Sequence, residues 1–162
     1  ASDVYKRQSL INPDNALFAN PDDMENAIRK YCMDTNQPVP ETRGQIVRCI
    51  FESLALRYRQ VLDDLRGLAS QPIETLHVIG GGSRNELLNQ FTANAVGIPV
   101  VAGPSEATAL GNVMMQAMAI GEAADVPGMR KLIHNSIPLK TYQPQNMENW
   151  GQAYIHFKNI VS

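Results

Sequence analysis

Apolar side chains recur at helical spacing through Met24, Ala27, Ile28 and Tyr31, which predicts a helix running to about Asp34. Ahead of it, Asn20 is a capping type, Pro21 suits a first helical position, and Asp22 and Asp23 favour the positive end of the helix dipole. Gln37-Pro38-Val39-Pro40 breaks this helix. Thr42 and Gln45 then form a Thr-x-x-Gln capping box, and behind it Ile46, Val47, Ile50, Phe51, Leu54, Tyr58, Val61, Leu62 and Leu65 continue one stripe to Gly67. A helix of about 24 residues spans about 36 Å, long enough to be the main packing column. Arg57, Arg59 and Arg66 fall on what reads as its solvated face.

The period then shortens. Thr75 to Ile79 is a short apolar run read as a buried strand, with His77 as a hydrogen-bonded core residue, and Gly80-Gly81-Gly82 stops it. Ser83 and Glu86 make a second capping pair, Leu87, Leu88, Phe91 and Ala95 mark a helix, Gly97 ends it, and Pro99 to Ala102 forms a second strand. Strand, helix, strand in that order demands parallel strands and a right-handed crossover. A further helix from Glu106 to Ile120, capped by Ser105, carries Ala107, Ala109, Gly111, Ala117 and Ala119, small residues expected to pack closely on a neighbour. A short helix over Pro127 to His134, an extended stretch from Ile137 to Tyr142, and a last helix burying Met147, Trp150, Tyr154 and Phe157 complete the chain.

Two short parallel strands are too little sheet for so many amphipathic helices, because parallel sheets need more strands and both faces covered. The expected class is therefore α/β, helix-rich with a short parallel β-α-β unit, and residues 9–162 read as part of a larger domain. Residues 1–8 fit none of these patterns and read as a non-native or disordered segment. With 44% hydrophobic and 19% charged residues the chain is of ordinary globular composition, and a net charge of −2 leaves no basic surplus for nucleic acid or anionic lipid. No apolar run approaches the roughly 20 residues a membrane span requires. Cys32 and Cys49 are too few for a disulfide framework or a tetrahedral zinc site, and the chain reads as cytosolic with both thiols reduced.

Chemistry concentrates at Val78-Ile79-Gly80-Gly81-Gly82-Ser83-Arg84-Asn85. Glycines lacking Cβ let a flat ring or a phosphate approach the backbone, and a helix start offers free N–H groups. The carboxyl end of a strand in an open α/β sheet is where ligands bind. Asn85 offers a side-chain amide to a base edge. A tight strand-to-helix turn without a ligand satisfies the same pattern, which is neither the Walker nor the Rossmann form. Gly103 to Asn112 also follows a strand and opens a helix, with packing as its expected role. His134 and His156 lack partners at ligand spacing, and no metal cluster, nucleophile motif or catalytic carboxylate pair stands out.

The segment Val78 to Gln90, followed at the right interval by Gly97-Ile98-Pro99-Val100 and Gly103 to Asn112, resembles the adenosine-binding part of the FGGY carbohydrate kinases. Ile11-Asn12-Pro13-Asp14, Phe18 to Pro21, Gln37 to Thr42 and Arg48 to Ala55 narrow the resemblance within that family. It implies two actin-like, ribonuclease-H-type ATPase domains with ATP between them, this chain being the later part of the second. It further implies nucleotide binding by Gly80, Gly81, Gly82 and Asn85, with Gly81 near the phosphates and Asn85 at adenine. ATP and Mg²⁺ would serve the whole enzyme, which transfers a phosphoryl group to a primary hydroxyl of a ketose. No Asp here matches the family's catalytic base, so that carboxylate and the sugar site are expected upstream of the chain. A kinase for L-fuculose, xylulose or glycerol, and a non-catalytic nucleotide-binding module, stand as alternatives.

Overall fold

Capping chemistry sets where the helices begin. The computed structural model describes residues 8–122, 125–136 and 138–161; residues 1–7 lie outside these, as does Ile137, as do the surroundings of the His134 side chain. Helix α1 (Met24–Asp34) is capped by Asp23, whose carboxylate accepts from Asn26 N–H at 3.0 Å. The helix thus starts later than Asn20-Pro21 suggests, and Met24 is left exposed. Helix α2 (Arg43–Leu68) carries the expected capping box, with Thr42 Oγ1 accepting from Gln45 N–H and Gln45 Oε1 accepting from Thr42 N–H at 2.9 Å.

Helix α2 buries Ile46, Cys49, Glu52, Ser53, Ala55, Leu56 and Leu62, whereas Val47, Tyr58, Val61 and Leu65 of the expected stripe are exposed. Its middle is enclosed on several sides because two layers meet there. On one side α1 and the segment Leu10–Ile11 pack against it: Ile11, Ile28, Tyr31, Cys32, Ile46 and Cys49 form one cluster. Gln37 stitches that segment down, its side-chain oxygen accepting from Leu10 N–H and its amide donating to Leu10 C=O, both at 2.8 Å. On the other side lie α3 (Glu86–Val96) and α6 (Met147–Val161), where Leu10, Leu56, Phe91, Trp150 and Phe157 meet. Full burial of such a side chain is worth about 1.5–3 kcal/mol. Met147, expected inside, is exposed.

None of the three arginines is merely solvated. Arg57 pairs with Asp14 at 2.6 Å, Arg59 lies 4.2 Å over the Tyr154 ring, and Arg66 pairs with Asp63 at 3.1 Å. Cys32 and Cys49 are both buried and free, and they lie in the same cluster. The Cys49 thiol beside it holds the Cys32 pKa below its usual value, while Cys32 and burial push Cys49 up.

The sheet has three short strands in the order β1 (Leu76–Val78), β2 (Val100–Ala102), β3 (Lys140–Tyr142). Strands β1 and β2 are parallel, pairing Leu76 with Val100 and Val78 with Ala102, as the β-α-β order requires. Strand β3 adds antiparallel, with Val100 opposite Tyr142 and Ala102 opposite Lys140, so the sheet is mixed rather than purely parallel. Val100, Ala102 and Tyr142 face α3 and join Leu62, Ala93 and Val96 beneath the sheet. β1 is an edge strand here, and His77 on it is exposed, not a core residue. Helices α4 (Ala107–Ala119) and α5 (Val126–Ser136) follow β2.

Candidate functional site

Gly80 turns the chain off β1 with φ 76°, ψ −163°, a conformation side chains rarely adopt. Gly81 to Arg84 then make one 3₁₀ turn. Ser83 does not cap α3; its hydroxyl and its N–H both bond back to Gly80 C=O, at 2.7 and 3.0 Å, and close the turn. The cap is Asn85, whose Oδ1 accepts from Leu88 N–H at 3.1 Å. The capping pair expected at Ser83 and Glu86 is thus displaced, because the glycines fold into a turn of their own before the α-helix begins. Capping engages the Asn85 oxygen once and leaves its Nδ2 group for another partner.

The structure brings Gly80, Gly81, Gly82 and Asn85 into one continuous loop and helix start. A Cβ at Gly80 or Gly81 would meet nothing within 4 Å, so the space before both is open. None of the described hydrogen bonds uses the N–H of Gly81 or Gly82. A second loop is tied alongside. Gly103 N–H donates to Val78 C=O at 2.8 Å and Gly80 N–H donates to Pro104 C=O at 3.0 Å, across a cis Gly103–Pro104 bond. Arg84 reaches over to the same loop, donating to Ser105 Oγ at 3.1 Å and pairing with Glu106 at 3.0 Å. Ser105 therefore serves Arg84, and α4 is capped by Glu106 without a side-chain bond.

Asn89 is the residue that the sequence pattern does not disclose. It is fully buried, and its Nδ2 donates to Ser83 C=O at 3.0 Å and to Gly82 C=O at 3.4 Å. A buried amide on the core face of an amphipathic helix is the only signal that could have found it. Below the loops a cavity of about 310 Å³ opens between the start of α3 and the β2–β3 face, lined among others by Arg84, Gly103, Lys140 and Tyr142. Tyr142 Oη is buried there without a hydrogen-bond partner. Lys140 pairs with Glu86 at 2.7 Å, and that bond, aided by the nearby tyrosine, raises its pKa. Among the described residues no three His, Cys, Asp or Glu side chains gather as a metal site, so the loop offers backbone and amide groups rather than metal ligands.

Residues 1–120 match the family model described as the C-terminal domain of the FGGY family of carbohydrate kinases. The chain belongs to this family. Both loops and α4 lie inside the matched region, whereas α5, β3 and α6 lie beyond it. Over 154 residues the chain is 77% identical to a rhamnulokinase of Bacteroides thetaiotaomicron, an alignment covering 95% of this chain and 32% of that protein. To a rhamnulokinase of Pectobacterium carotovorum subsp. carotovorum it is 49% identical over 152 residues, covering 94% and 31%. A crystal structure of a xylulose kinase from Rhodospirillum rubrum superposes with a TM-score of 0.56 at 20% identity, covering 76% of this chain and 25% of that one. That likeness is one of fold. The FGGY chain thus spans about a third of the length of the curated relatives it matches.

Proposed function

We propose that this chain is the adenosine-binding part of an ATP-dependent kinase that phosphorylates L-rhamnulose at its 1-hydroxyl, giving L-rhamnulose 1-phosphate and ADP. The observation that carries the reading is the 77% identity to a rhamnulokinase across nearly the whole chain. The loop geometry supports the nucleotide half of it. The open space before Gly80 and Gly81 admits a ribose or phosphate against the backbone, and the uncommitted N–H groups of Gly81 and Gly82 can donate to phosphate oxygens. Asn85 Nδ2 donates to a ring nitrogen of adenine while its oxygen caps α3. Asn89 and the Gly80–Pro104 bond fix the loop before the ligand arrives, so little reorganisation is left for binding.

The reacting groups lie in the part of the enzyme outside this chain. A carboxylate there accepts the proton of the sugar hydroxyl as the γ-phosphoryl group of ATP transfers. Among the described residues no three His, Cys, Asp or Glu side chains gather, and Mg²⁺ would enter the whole enzyme with the phosphates of ATP. The role proposed is cytoplasmic, with ATP, ADP and a ketose as partners and no nucleic acid or membrane; no helix of the described residues is long and apolar enough to cross a bilayer.

The whole enzyme, assayed by coupled ADP release on L-rhamnulose, L-fuculose, xylulose and glycerol, should give its highest kcat/KM with L-rhamnulose. A higher value with any of the other three overturns the substrate. ADP binding without turnover on any of them favours a non-catalytic nucleotide-binding protein. Titration calorimetry with ADP should show weakened binding in Gly81→Val and Asn85→Ala, and equal affinity in all three proteins removes these residues from the site. The 162 residues alone should show no turnover.

A further inference from the structure

The cavity between the start of α3 and the β2–β3 face has no part in the proposed function, and its bonding is one-sided. The acceptors on its walls are already used. Ser83 C=O accepts from Asn89 Nδ2, and Pro104 C=O accepts from Gly80 N–H. Glu86, the one acidic residue of the lining, pairs with Lys140 at 2.7 Å. Donors are left over. Both side-chain bonds of Arg84 leave from Nη2, so among the described residues its Nε and Nη1 have no acceptor. Lys140 Nζ carries two N–H groups beyond the one facing Glu86. Tyr142 is 7% exposed, and its Oη is buried without a hydrogen-bond partner. It follows Lys140 by two residues on the same face of β3, and Lys140 Nζ lies 5.4 Å from its ring centre. A buried hydroxyl without a partner is rare in a folded protein and points to a group that arrives from outside.

We propose that this cavity binds a small oxyanion, a carboxylate or a phosphate group, on Tyr142 Oη, Lys140 Nζ and the Arg84 guanidinium. Two cationic side chains against one carboxylate leave the lining with a net positive charge. The three free groups all donate, so the ligand that completes them supplies acceptors and negative charge, and charge-assisted bonds of this kind are the strong ones. The volume of about 310 Å³ lies at the lower end for small-molecule sites, which admits the anion with a small organic body. Arg84, Lys140 and Glu86 are each more than half exposed, so the mouth opens to solvent while the phenol stands at its depth. Lys140 and Tyr142 lie beyond the residues that the family model matches, which sets this site apart from the glycine loop assigned to the nucleotide.

The test is titration calorimetry on the whole kinase with inorganic phosphate and with acetate, in separate runs. A non-hydrolysable ATP analogue is held at saturation, so that the phosphate subsites of the nucleotide are filled. At least one anion should bind with a millimolar or tighter Kd, and the tighter of the two names the class of oxyanion. Tyr142→Phe and Lys140→Gln should each weaken that binding at least about tenfold and leave the affinity for the analogue within about twofold. Tyr142→Phe removes only the hydroxyl, so without the anion its thermal midpoint should equal or exceed that of the parent. A lower midpoint means the hydroxyl is already bonded, and overturns the proposal. So does binding of neither anion in the millimolar range. Equal affinity in both variants means an adventitious ion only, and binding seen only without the analogue places the anion in the nucleotide site; either result overturns it too. Anion binding that depends on Tyr142 and Lys140, in a whole protein that phosphorylates none of the four sugars, leaves this inference standing while the proposed function falls.

Discussion

Replacing Asn89 by Ala tests whether the glycine loop is held from beneath. The side chain is 1% exposed and donates to Ser83 C=O at 3.0 Å and to Gly82 C=O at 3.4 Å. Truncation removes the donor and leaves the carbonyls facing an emptied space. One well-made buried bond of this kind, lost with its acceptor stranded, costs about 1–3 kcal/mol. The longer contact adds little at its distance, and the missing side-chain atoms leave a small cavity whose cost is below about 1 kcal/mol. A loss of about 2–3 kcal/mol is expected, which is roughly 30- to 140-fold in the folding constant at 1.4 kcal/mol per tenfold. Urea unfolding should show the shift as a lower midpoint with an unchanged slope. Asn85→Ala is the reference: it removes a cap worth about 1 kcal/mol and leaves the loop carbonyls bonded. Asn89→Asp should be at least as damaging as Ala, because a carboxylate of the same shape only accepts and turns its charge on two carbonyl oxygens. A cost for Asn89→Ala below that of Asn85→Ala refutes the account of how the loop is fixed.

Arg48 bridges Glu52 at 3.0 Å, with Glu52 1% exposed, so Arg48→Met should cost about 3 kcal/mol in urea unfolding by leaving a buried carboxylate without that partner. Phe157 is fully buried between α2, α3 and α6, and Phe157→Ala should cost about 3–5 kcal/mol, read from the same midpoints. Burial first, then Asp63, raises the Tyr154 pKa, and burial raises Tyr31. The folded state therefore favours the neutral phenols, so stability should hold below about pH 10 and fall as pH rises through the raised values. Tyr154→Phe should soften that alkaline fall in denaturation followed against pH; an unchanged profile assigns it elsewhere.

What could be read from the chain, and what could not, divides along the range of the interactions involved. The Thr42–Gln45 box and the Gly97 stop act within a turn of backbone, and both stand where the residues placed them. Where two capping types compete nearby, local pattern picks the wrong one. Asp23 replaces Asn20, and Asn85 replaces Ser83, whose hydroxyl closes the glycine turn onto Gly80 instead. The glycines and Asn85 do share one loop, but Asn89 beneath it is not legible in the sequence, since its partners are backbone carbonyls and carry no residue-type signature. Glu52 is hidden for a related reason: a charged residue inside a packing column is legible only through Arg48 at i−4. The small residues of α4 suggest close packing, yet none of them is buried among the described residues.

Helix α3 joins the core to the candidate site. Its inner face packs against α2 through Phe91 and Ala95 and against the sheet through Ala93 and Val96. Asn85 caps its start, and one turn on Asn89 fixes the loop that precedes it. Displacing α3 along its axis would therefore move the loop carbonyls with it, because Asn89 ties them to the same rigid element that fills the core. Loss of core packing should then weaken nucleotide affinity without touching a ligand-facing residue, whereas changes on α1, which packs on the far side of α2, should cost stability alone. A loop of glycines is suited to receiving a ligand closely but is poor at holding a shape, since glycine surrenders the most conformational freedom on ordering. The fold meets both demands by placing the flexible residues in the loop and the fixing groups on the buried start of a helix.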